Sequence, residues 1–289
     1  MLFFPATRVL SSTGTLFVFV VAMAINGFAQ GQDFIPTVNS KTVLVIHNPT
    51  GNVLWDRNSN QVRPIASLTK LAAALVFRAH GLKLDRGTEI SRDDWKVALG
   101  GARTRLELKW TYSNHDLLCA ALLASDNRAI SAMGRAIGLD ATALTKAMND
   151  YVTKMGLQNT FFREPTGIDT NNLSTAWEMS QIVRQASKDP VLRKIMGKKT
   201  HIVKPLRGSI SVTYLNTNPL IDSFKNARFV ASKTGYNSKA GYCIAVVVEI
   251  KNIGGITLVL LGAKRKTDRT NDMYRILKWV HTTNKPSKG

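Results

Sequence analysis

Cysteine is scarce in this chain, and its histidines show no spacing typical of a metal site. Cys119 and Cys243 are the only cysteines among 289 residues, so the chain can form at most one disulfide. Cys119 lies in an apolar helical stretch and Cys243 in a strand-like run, a pattern that favours two buried free thiols over a bridge. No H-x-x-H, C-x-x-C or H-E-x-x-H occurs. The sequence therefore predicts no metal or other cofactor and excludes a metallopeptidase.

Acidic residues are about half as frequent as basic ones. The chain has 19 aspartates and glutamates against 39 lysines and arginines, a formal net charge of +20, which indicates a polyanionic neighbour. Nucleic acid is not predicted, because the sequence has neither a basic and aromatic single-strand platform nor a groove-reading helix. The remaining candidates for the polyanionic neighbour are a cell-wall polymer with free carboxylates and an anionic envelope surface. Solubility alone explains the charge equally well.

The N-terminal apolar run, residues 16–25, has about half of the ~20 residues that a transmembrane helix needs. Arg8 is the only charge before Asp33, and Gly27-Phe28-Ala29 is a small-x-small cleavage pattern. Residues 1–29 are therefore predicted to be a cleaved signal peptide, with an uncleaved N-terminal anchor as the alternative. Either outcome places the protein outside the cytoplasm, and a cleaved signal predicts the periplasm.

No low-complexity linker or repeat divides residues 38–283, which predicts one domain followed by a short polar tail, 284–289. A strand–turn–strand pattern covers 41–55, and a helix begins at Ser67. Hydrophobic periodicity predicts further helices at 114–124, 127–137, 141–155, 175–188 (capped by Ser174) and 271–282, and strands at 229–233, 242–250 and 256–261. An α+β fold follows, with one antiparallel sheet built from both termini and a helical lobe inserted between.

Ser67 and Lys70 stand three residues apart at the start of a predicted helix, so they share a face. A serine hydroxyl needs a base before it can attack. There is no G-x-S-x-G and no histidine placed for a triad, so the lysine would have to serve, with its pKa lowered by desolvation or a neighbouring cation. The backbone N–H of Ser67 can steady a developing oxyanion. Taken alone, the pair also fits an ordinary helix cap followed by a surface lysine.

Ser125 and Asn127 stand where one predicted helix ends and the next begins. A hydroxyl there can pass a proton between lysines and a leaving amine, and an amide can bind a peptide carbonyl. Asp126, between them, is expected to face elsewhere and to be structural. Taken alone, Ser-Asp-Asn is also an ordinary turn with an Asx cap.

Lys233, Thr234 and Gly235 continue a predicted strand. Lysine and threonine can bind a terminal carboxylate, and glycine lets a substrate backbone lie close along the strand edge. The N–H of Tyr236 is placed to be a second oxyanion donor. An exposed edge lysine before a turn is the alternative for this string by itself.

Together, Ser-Leu-Thr-Lys, Ser-Asp-Asn and Lys-Thr-Gly in this order resemble the motif set of penicillin-binding proteins and class A β-lactamases. Residues 41–279 resemble the low-molecular-mass penicillin-binding proteins of the D-alanyl-D-alanine carboxypeptidase/endopeptidase family, and the fold expected is β-lactamase/transpeptidase-like. Further segments that match the family pattern are 163–168, 172–176, 216–220, 233–236 and 240–243.

The resemblance implies a role for each string. Ser67 would be the acylated nucleophile and Lys70 its base. Ser125 and Asn127 would complete the proton network and the substrate grip. Lys233 would hold the substrate carboxylate together with Thr234.

Within the family, Ser-Asp-Asn and the short tail favour the endopeptidase branch over the carboxypeptidases. The expected reaction is hydrolysis of D-alanyl–diaminopimelate cross-links in peptidoglycan stem peptides, with β-lactams as covalent inhibitors. A D-alanyl-D-alanine carboxypeptidase is the alternative. A class A β-lactamase would need E-x-x-L-N, but Glu164 is followed by Pro165-Thr166-Gly167-Ile168. A non-catalytic β-lactam sensor or wall-binding protein would leave the catalytic set unexplained.

Overall fold

The computed structural model of the protein describes residues 35–102, 104–224 and 226–283. The predicted signal peptide, residues 1–29, and the polar tail, 284–289, lie outside these ranges. Within them, no helix combines the length and the apolar character needed to cross a membrane.

The strands of the described residues form one large antiparallel sheet and three short ribbons. In chain order they are β1 (Thr42–His47), β2 (Val53–Arg57), β3 (Arg63–Pro64), β4 (Gly87–Glu89), β5 (Thr111–Ser113), β6 (Leu173–Ser174), β7 (Thr200–Val203), β8 (Val212–Leu215), β9 (Ala227–Asn237), β10 (Gly241–Ile250) and β11 (Gly254–Ala263). The large sheet has the order β2-β1-β11-β10-β9, so both ends of the chain build it. The ribbons pair β3 with β6, β4 with β5, and β7 with β8.

In the sequence, most helices come after β1 and β2 and before β9, β10 and β11, the strands that complete the large sheet. They are α1 (Lys70–Ala79), α2 (Arg92–Val97), α3 (Asn114–Ala124), α4 (Asn127–Ala136), α5 (Ala141–Lys154), α6 (Ala176–Lys188), α7 (Pro190–Met196) and α8 (Lys266–Thr283), with a 3₁₀ turn at Ala66–Thr69 before α1. Helix α3 is apolar all round because it runs through the lobe, packed against α1, α4, α7 and β7.

Both faces of the large sheet are covered at β1, β11 and β10, and these three strands are accordingly apolar at successive positions rather than alternating. On one face, Leu44 and Ile46 of β1 join the core of the helical lobe. On the other face, Val43 and Val45 pack with the apolar side of α8. A strand alternates its side chains between faces, so each of these strands contributes to two cores.

The predicted α+β class and the sheet built from both termini are confirmed. The predicted helix at Ser67 is a 3₁₀ turn that passes into α1 at Lys70, and the cap of α6 is Thr175 rather than Ser174, since the Thr175 side chain accepts from Glu178 N at 3.0 Å. Helix α8 begins at Lys266, five residues before the predicted start. Both cysteines are free and buried.

The site is positioned by a close approach between β9, at the edge of the sheet, and the 3₁₀ turn. A Cβ on Gly235 would lie 2.8 Å from Ile65 O and 3.1 Å from Ser67 N. Glycine is therefore needed so that the strand can lie against the turn. The sequence interpretation assigned this glycine to the approach of a substrate backbone, and the structure shows a second reason for a glycine here, the approach of the turn.

Candidate active site

Ser67 is presented by a strained turn at the junction of the lobe and the sheet. Ala66 has φ 49°, a left-handed conformation that costs a residue with a Cβ roughly 1–2 kcal/mol. Gly167, at φ 88°, packs against Ala66, and a Cβ on Gly167 would lie 2.1 Å from Ala66 O. The half-buried Ser67 side chain faces a cavity of about 620 Å³.

Lys70 lies beneath Ser67 and is completely buried. Its Nζ is 3.1 Å from Ser67 Oγ and donates to Thr166 O at 2.5 Å. Burial lowers the pKa of Lys70 to about 8, against the opposing effect of the Glu164 and Asp126 carboxylates. Near that pH a large share of the amine is neutral, so Lys70 can take the proton of Ser67.

Ser125 and Lys233 form a second hydroxyl–amine pair on the other side of the cavity. Ser125 ends α3 in a left-handed conformation, φ 64°, and Lys233 Nζ donates to its Oγ. Burial, with the charges of Lys70 and Arg269 adding to it, holds the pKa of Lys233 well below its usual range. A buried amine next to a hydroxyl can relay a proton.

Thr234 and Thr217 link β9 to the end of α3. Thr234 Oγ1 donates to Thr217 Oγ1 at 2.6 Å, and Thr217 Oγ1 donates to Leu123 O at 3.1 Å. Both threonines line the cavity, as does Tyr236, whose ring stacks on Tyr242 with centroids 4.2 Å apart. Hydroxyl and backbone groups therefore line the β9 side of the cavity.

Asn127 lines the cavity, and its neighbour Asp126 does not. Asn127 Oδ1 is buried without a hydrogen-bond partner among the described residues, which is unusual for an amide oxygen and leaves an acceptor for a ligand. The Asp126 carboxylate instead accepts from Arg128 N, Thr104 Oγ1 and Tyr214 OH. Asp126 is thus structural, as expected.

Glu164 organises the loop that holds Lys70. Its carboxylate accepts from Thr166 N at 2.7 Å, from Gly167 N at 2.5 Å and from Asn172 Nδ2 at 3.1 Å. These bonds fix Thr166 O against the Lys70 amine. Glu164 is a positioning residue for which the sequence provided no role.

Arg269 is a cavity residue that the sequence analysis missed. It is 3% exposed, and its Nε and Nη2 are buried without partners in the described part of the chain. A buried guanidinium with free donors is a binding site for an anion. One signal was available: Arg269 lies on the same side of α8 as the apolar Met273 and Ile276, where an arginine is out of place unless it has a function.

All eight predicted site residues meet at this cavity. Lys70 and Lys233 lie buried behind it, and the other six line it: Ser67, Ser125, Asn127, Thr234, Gly235 and Tyr236. The described lining includes no histidine, cysteine or carboxylate. The cavity therefore presents hydroxyl groups, two buried amines behind them and one buried guanidinium.

Known proteins are similar to this chain in sequence and in fold. Residues 28–265 match the family model of the D-alanyl-D-alanine carboxypeptidases, peptidase S11. The chain belongs to this family. The prediction of a serine D-Ala-D-Ala peptidase with a penicillin-binding fold is confirmed.

Two curated relatives and one solved structure support the assignment. The D-alanyl-D-alanine endopeptidase of Pseudomonas aeruginosa is 31% identical over 243 residues, 84% of this chain and 77% of that protein. The D-alanyl-D-alanine endopeptidase of Escherichia coli is 28% identical over 247 residues, covering 86% and 79%. The DD-transpeptidase of Streptomyces K15 superposes with a TM-score of 0.79 at 25% identity, covering 86% and 99%.

Proposed function

We propose that this family member is a D-alanyl-D-alanine endopeptidase that hydrolyses D-alanyl–diaminopimelate cross-links of peptidoglycan through an acyl-enzyme on Ser67. The observation that carries the proposal is the contact of 3.1 Å between Ser67 Oγ and the buried amine of Lys70. With the pKa of that amine lowered to about 8, it is a base suited to a hydroxyl near neutral pH.

In the proposed acylation step, neutral Lys70 takes the proton of Ser67 as Oγ bonds to the D-alanyl carbonyl carbon. The carbonyl oxygen becomes an oxyanion that receives N–H bonds from Ser67 and Tyr236. Ser125, bound to Lys233, then delivers a proton to the leaving amine as the peptide bond breaks, and it receives in exchange the proton that Lys70 took from Ser67. Asn127 Oδ1, which has no partner among the described residues, accepts from an amide N–H of the stem peptide.

Water completes the proposed cycle. Neutral Lys70 takes a proton from the water as the water oxygen bonds to the ester carbonyl carbon. The bond from this carbon to Ser67 Oγ then breaks, and Oγ recovers its proton from Lys70. A class A β-lactamase accelerates this step with a free glutamate. Here the Glu164 carboxylate is occupied by Thr166, Gly167 and Asn172, which supports slow hydrolysis of a penicilloyl adduct.

The preference for a cross-link over a terminal D-alanine is supported by the names of two relatives, both D-alanyl-D-alanine endopeptidases. Both reactions place a free carboxylate beside the scissile bond, so Arg269 and Thr234 fit either substrate. The carboxypeptidase reaction is therefore the alternative that the experiment must separate.

The test is intact-mass analysis of the chain without residues 1–29 after mixing with benzylpenicillin, followed over time, together with digestion of two purified muropeptides. We expect a stable one-to-one adduct that maps to Ser67. We also expect faster cleavage of a D-alanyl–diaminopimelate cross-linked dimer than of a monomeric pentapeptide.

Each other outcome identifies a different function. An adduct with faster release of terminal D-alanine from the pentapeptide would replace the endopeptidase by a carboxypeptidase. Rapid penicillin hydrolysis without an adduct would indicate a β-lactamase. If penicillin forms no adduct and neither penicillin nor the muropeptides are cleaved, the protein would be a wall-binding protein without catalytic activity.

Replacing Arg269 by leucine is expected to raise KM for a cross-linked peptide about 10- to 100-fold, because a buried charge-assisted hydrogen bond to the substrate carboxylate is lost. The matched control is Arg265→Leu. Arg265 lies one turn earlier, is largely exposed, and pairs with Asp268. Equal KM values in the Arg269→Leu and Arg265→Leu variants would show that Arg269 does not bind the substrate carboxylate.

Glu164→Gln is expected to slow acylation by benzylpenicillin about 10- to 100-fold, because an amide cannot satisfy all the donors that the carboxylate receives. The Glu164 charge also raises the pKa of Lys70, so its removal should shift the pH–rate profile to lower pH. Glu178→Gln is the control, since Glu178 binds Asn159 and Thr160 away from the cavity. An unshifted profile in Glu164→Gln would contradict the positioning role.

We also propose a periplasmic location, supported by the signal-like residues 1–29, and an anionic envelope neighbour, supported by the net charge of +20. Cell fractionation tests the first. Co-sedimentation with purified cell-wall sacculi at increasing salt tests the second, because attraction between exposed charges weakens as salt rises.

A further inference from the structure

A cluster of histidine and cysteine side chains lies at the first turns of α3, away from the cavity. His115 and Cys119 stand four residues apart and so share one side of the helix, and His201 reaches them from β7. One ligand atom from each of the three lies within 4.8 Å of the others. Cys119 is completely buried, and the two histidines are half-buried.

The imidazole of His201 is held in one tautomer. Its Nε2 is 2.6 Å from Asp116 Oδ1, and a carboxylate can only accept, so Nε2 carries the proton. The lone pair is therefore on Nδ1. A histidine that binds a metal through one ring nitrogen commonly donates the N–H of the other nitrogen to a carboxylate.

Two further groups bear on whether a cation can enter. Lys198 Nζ lies 3.5 Å from His201 Nδ1, so a positive charge already sits against the cluster and would have to swing aside. A metal ion that binds the Cys119 sulfur must also displace the thiol proton into solvent.

We propose that His115, Cys119 and His201 bind one thiophilic transition-metal ion, for which Zn²⁺ is the best match. Two imidazoles and a thiolate select such an ion over Mg²⁺ or Ca²⁺, which prefer oxygen ligands. The half-exposed His115 leaves a fourth position open to water. The site is independent of the proposed peptidase reaction, since no member of it lines the catalytic cavity.

The location implies a structural role for the ion. It would join the first turns of α3 to β7, and therefore to the β7–β8 hairpin. Tyr214 of β8 donates to Asp126 beside the end of α3, so the hairpin already contacts the helix at its other end. The sequence motifs considered above could not reveal this site, because its third ligand comes from a distant strand.

The experiment titrates the metal-free chain without residues 1–29 with Co²⁺ and then with Zn²⁺. We expect one equivalent of Co²⁺ to give a thiolate-to-cobalt charge-transfer band, which Zn²⁺ removes by competition. Saturating Zn²⁺ should raise Tm, and Mg²⁺ should do neither. No band and no Tm shift would overturn the proposal.

The variants assign the ligands. Cys119→Ser should abolish the band and weaken Zn²⁺ binding about 100-fold or more, and Asp116→Asn should weaken it about 10- to 100-fold. Cys243→Ser is the matched control, since it removes the other buried thiol, and it should keep the band. If Cys243→Ser lost the charge-transfer band and Cys119→Ser kept it, the assignment of Cys119 as the thiolate ligand would be overturned.

Two additional variants keep the test decisive if Cys119→Ser does not fold. His115→Gln changes a half-exposed side chain and should weaken Zn²⁺ binding without loss of the folded state. Lys198→Met should tighten Zn²⁺ binding several-fold, because the competing ammonium is gone. Unchanged Zn²⁺ affinity in both variants would place any bound ion elsewhere.

Discussion

Ser67→Ala is expected to abolish covalent labelling by benzylpenicillin and to reduce cleavage of a cross-linked muropeptide by at least about 10⁴-fold. The alanine removes the only atom that bonds to the carbonyl carbon, so no acyl-enzyme can form. The fold should be retained, because Ser67 is half-buried and its Oγ contacts Lys70 rather than the core. Intact-mass analysis measures the adduct, and thermal unfolding checks that Tm stays within about 2 °C of the original.

Ser238→Ala is the matched control for this variant. Ser238 lines the same cavity, at the exposed turn between β9 and β10, and its replacement should leave labelling unchanged. A penicilloyl adduct on the Ser67→Ala protein would show that another group is the nucleophile and would overturn the proposed mechanism.

Lys70→Met is expected to slow acylation by about 10³- to 10⁴-fold, because the Ser67 hydroxyl loses its base. Methionine is of similar length and carries no charge. Because the site is completely buried, the free-energy cost of removing an amine from water is absent in this variant. We therefore expect Tm to be unchanged or higher. A large loss of rate without a loss of stability would distinguish a catalytic lysine from one that supports the fold.

The pH dependence of acylation by the unmodified protein gives an independent check. The neutral amine is the base, and the pKa of Lys70 is about 8. The rate should therefore rise about tenfold per pH unit below that value and level off above it. Lys70→Met should lose this limb, whereas Lys239→Met, at an exposed position in the turn after β9, should keep it. Identical pH limbs in all three proteins would assign the base to another group.

The residues that meet at the cavity could be predicted from sequence because each short string keeps its spacing on one local element. Ser67 and Lys70 are brought together by a single turn. Ser125 and Asn127 are placed by one helix end and the next helix start. A single sheet built from both ends of the chain was also predictable, since apolar strands occur near both termini and a helical middle separates them.

The contributions of Arg269 and Glu164 were not predicted, because they depend on packing between distant parts of the chain. Arg269 reaches the cavity only because α8 covers one face of the sheet, and Glu164 acts through Thr166 on an amine far away in sequence. Helix α7 could have been found, since Asp189 caps it and Pro190 occupies its first position. That signal was overlooked.

The pairing of β1 with β11 has a consequence for how the chain reaches its folded state. β1 is made early, yet Thr42 pairs with Leu261, so the centre of the sheet closes a loop of about 200 residues. Folding through such distant contacts is slow, and it cannot finish while the C-terminal part is still being synthesised. The five-stranded sheet therefore forms only after β11 has been synthesised.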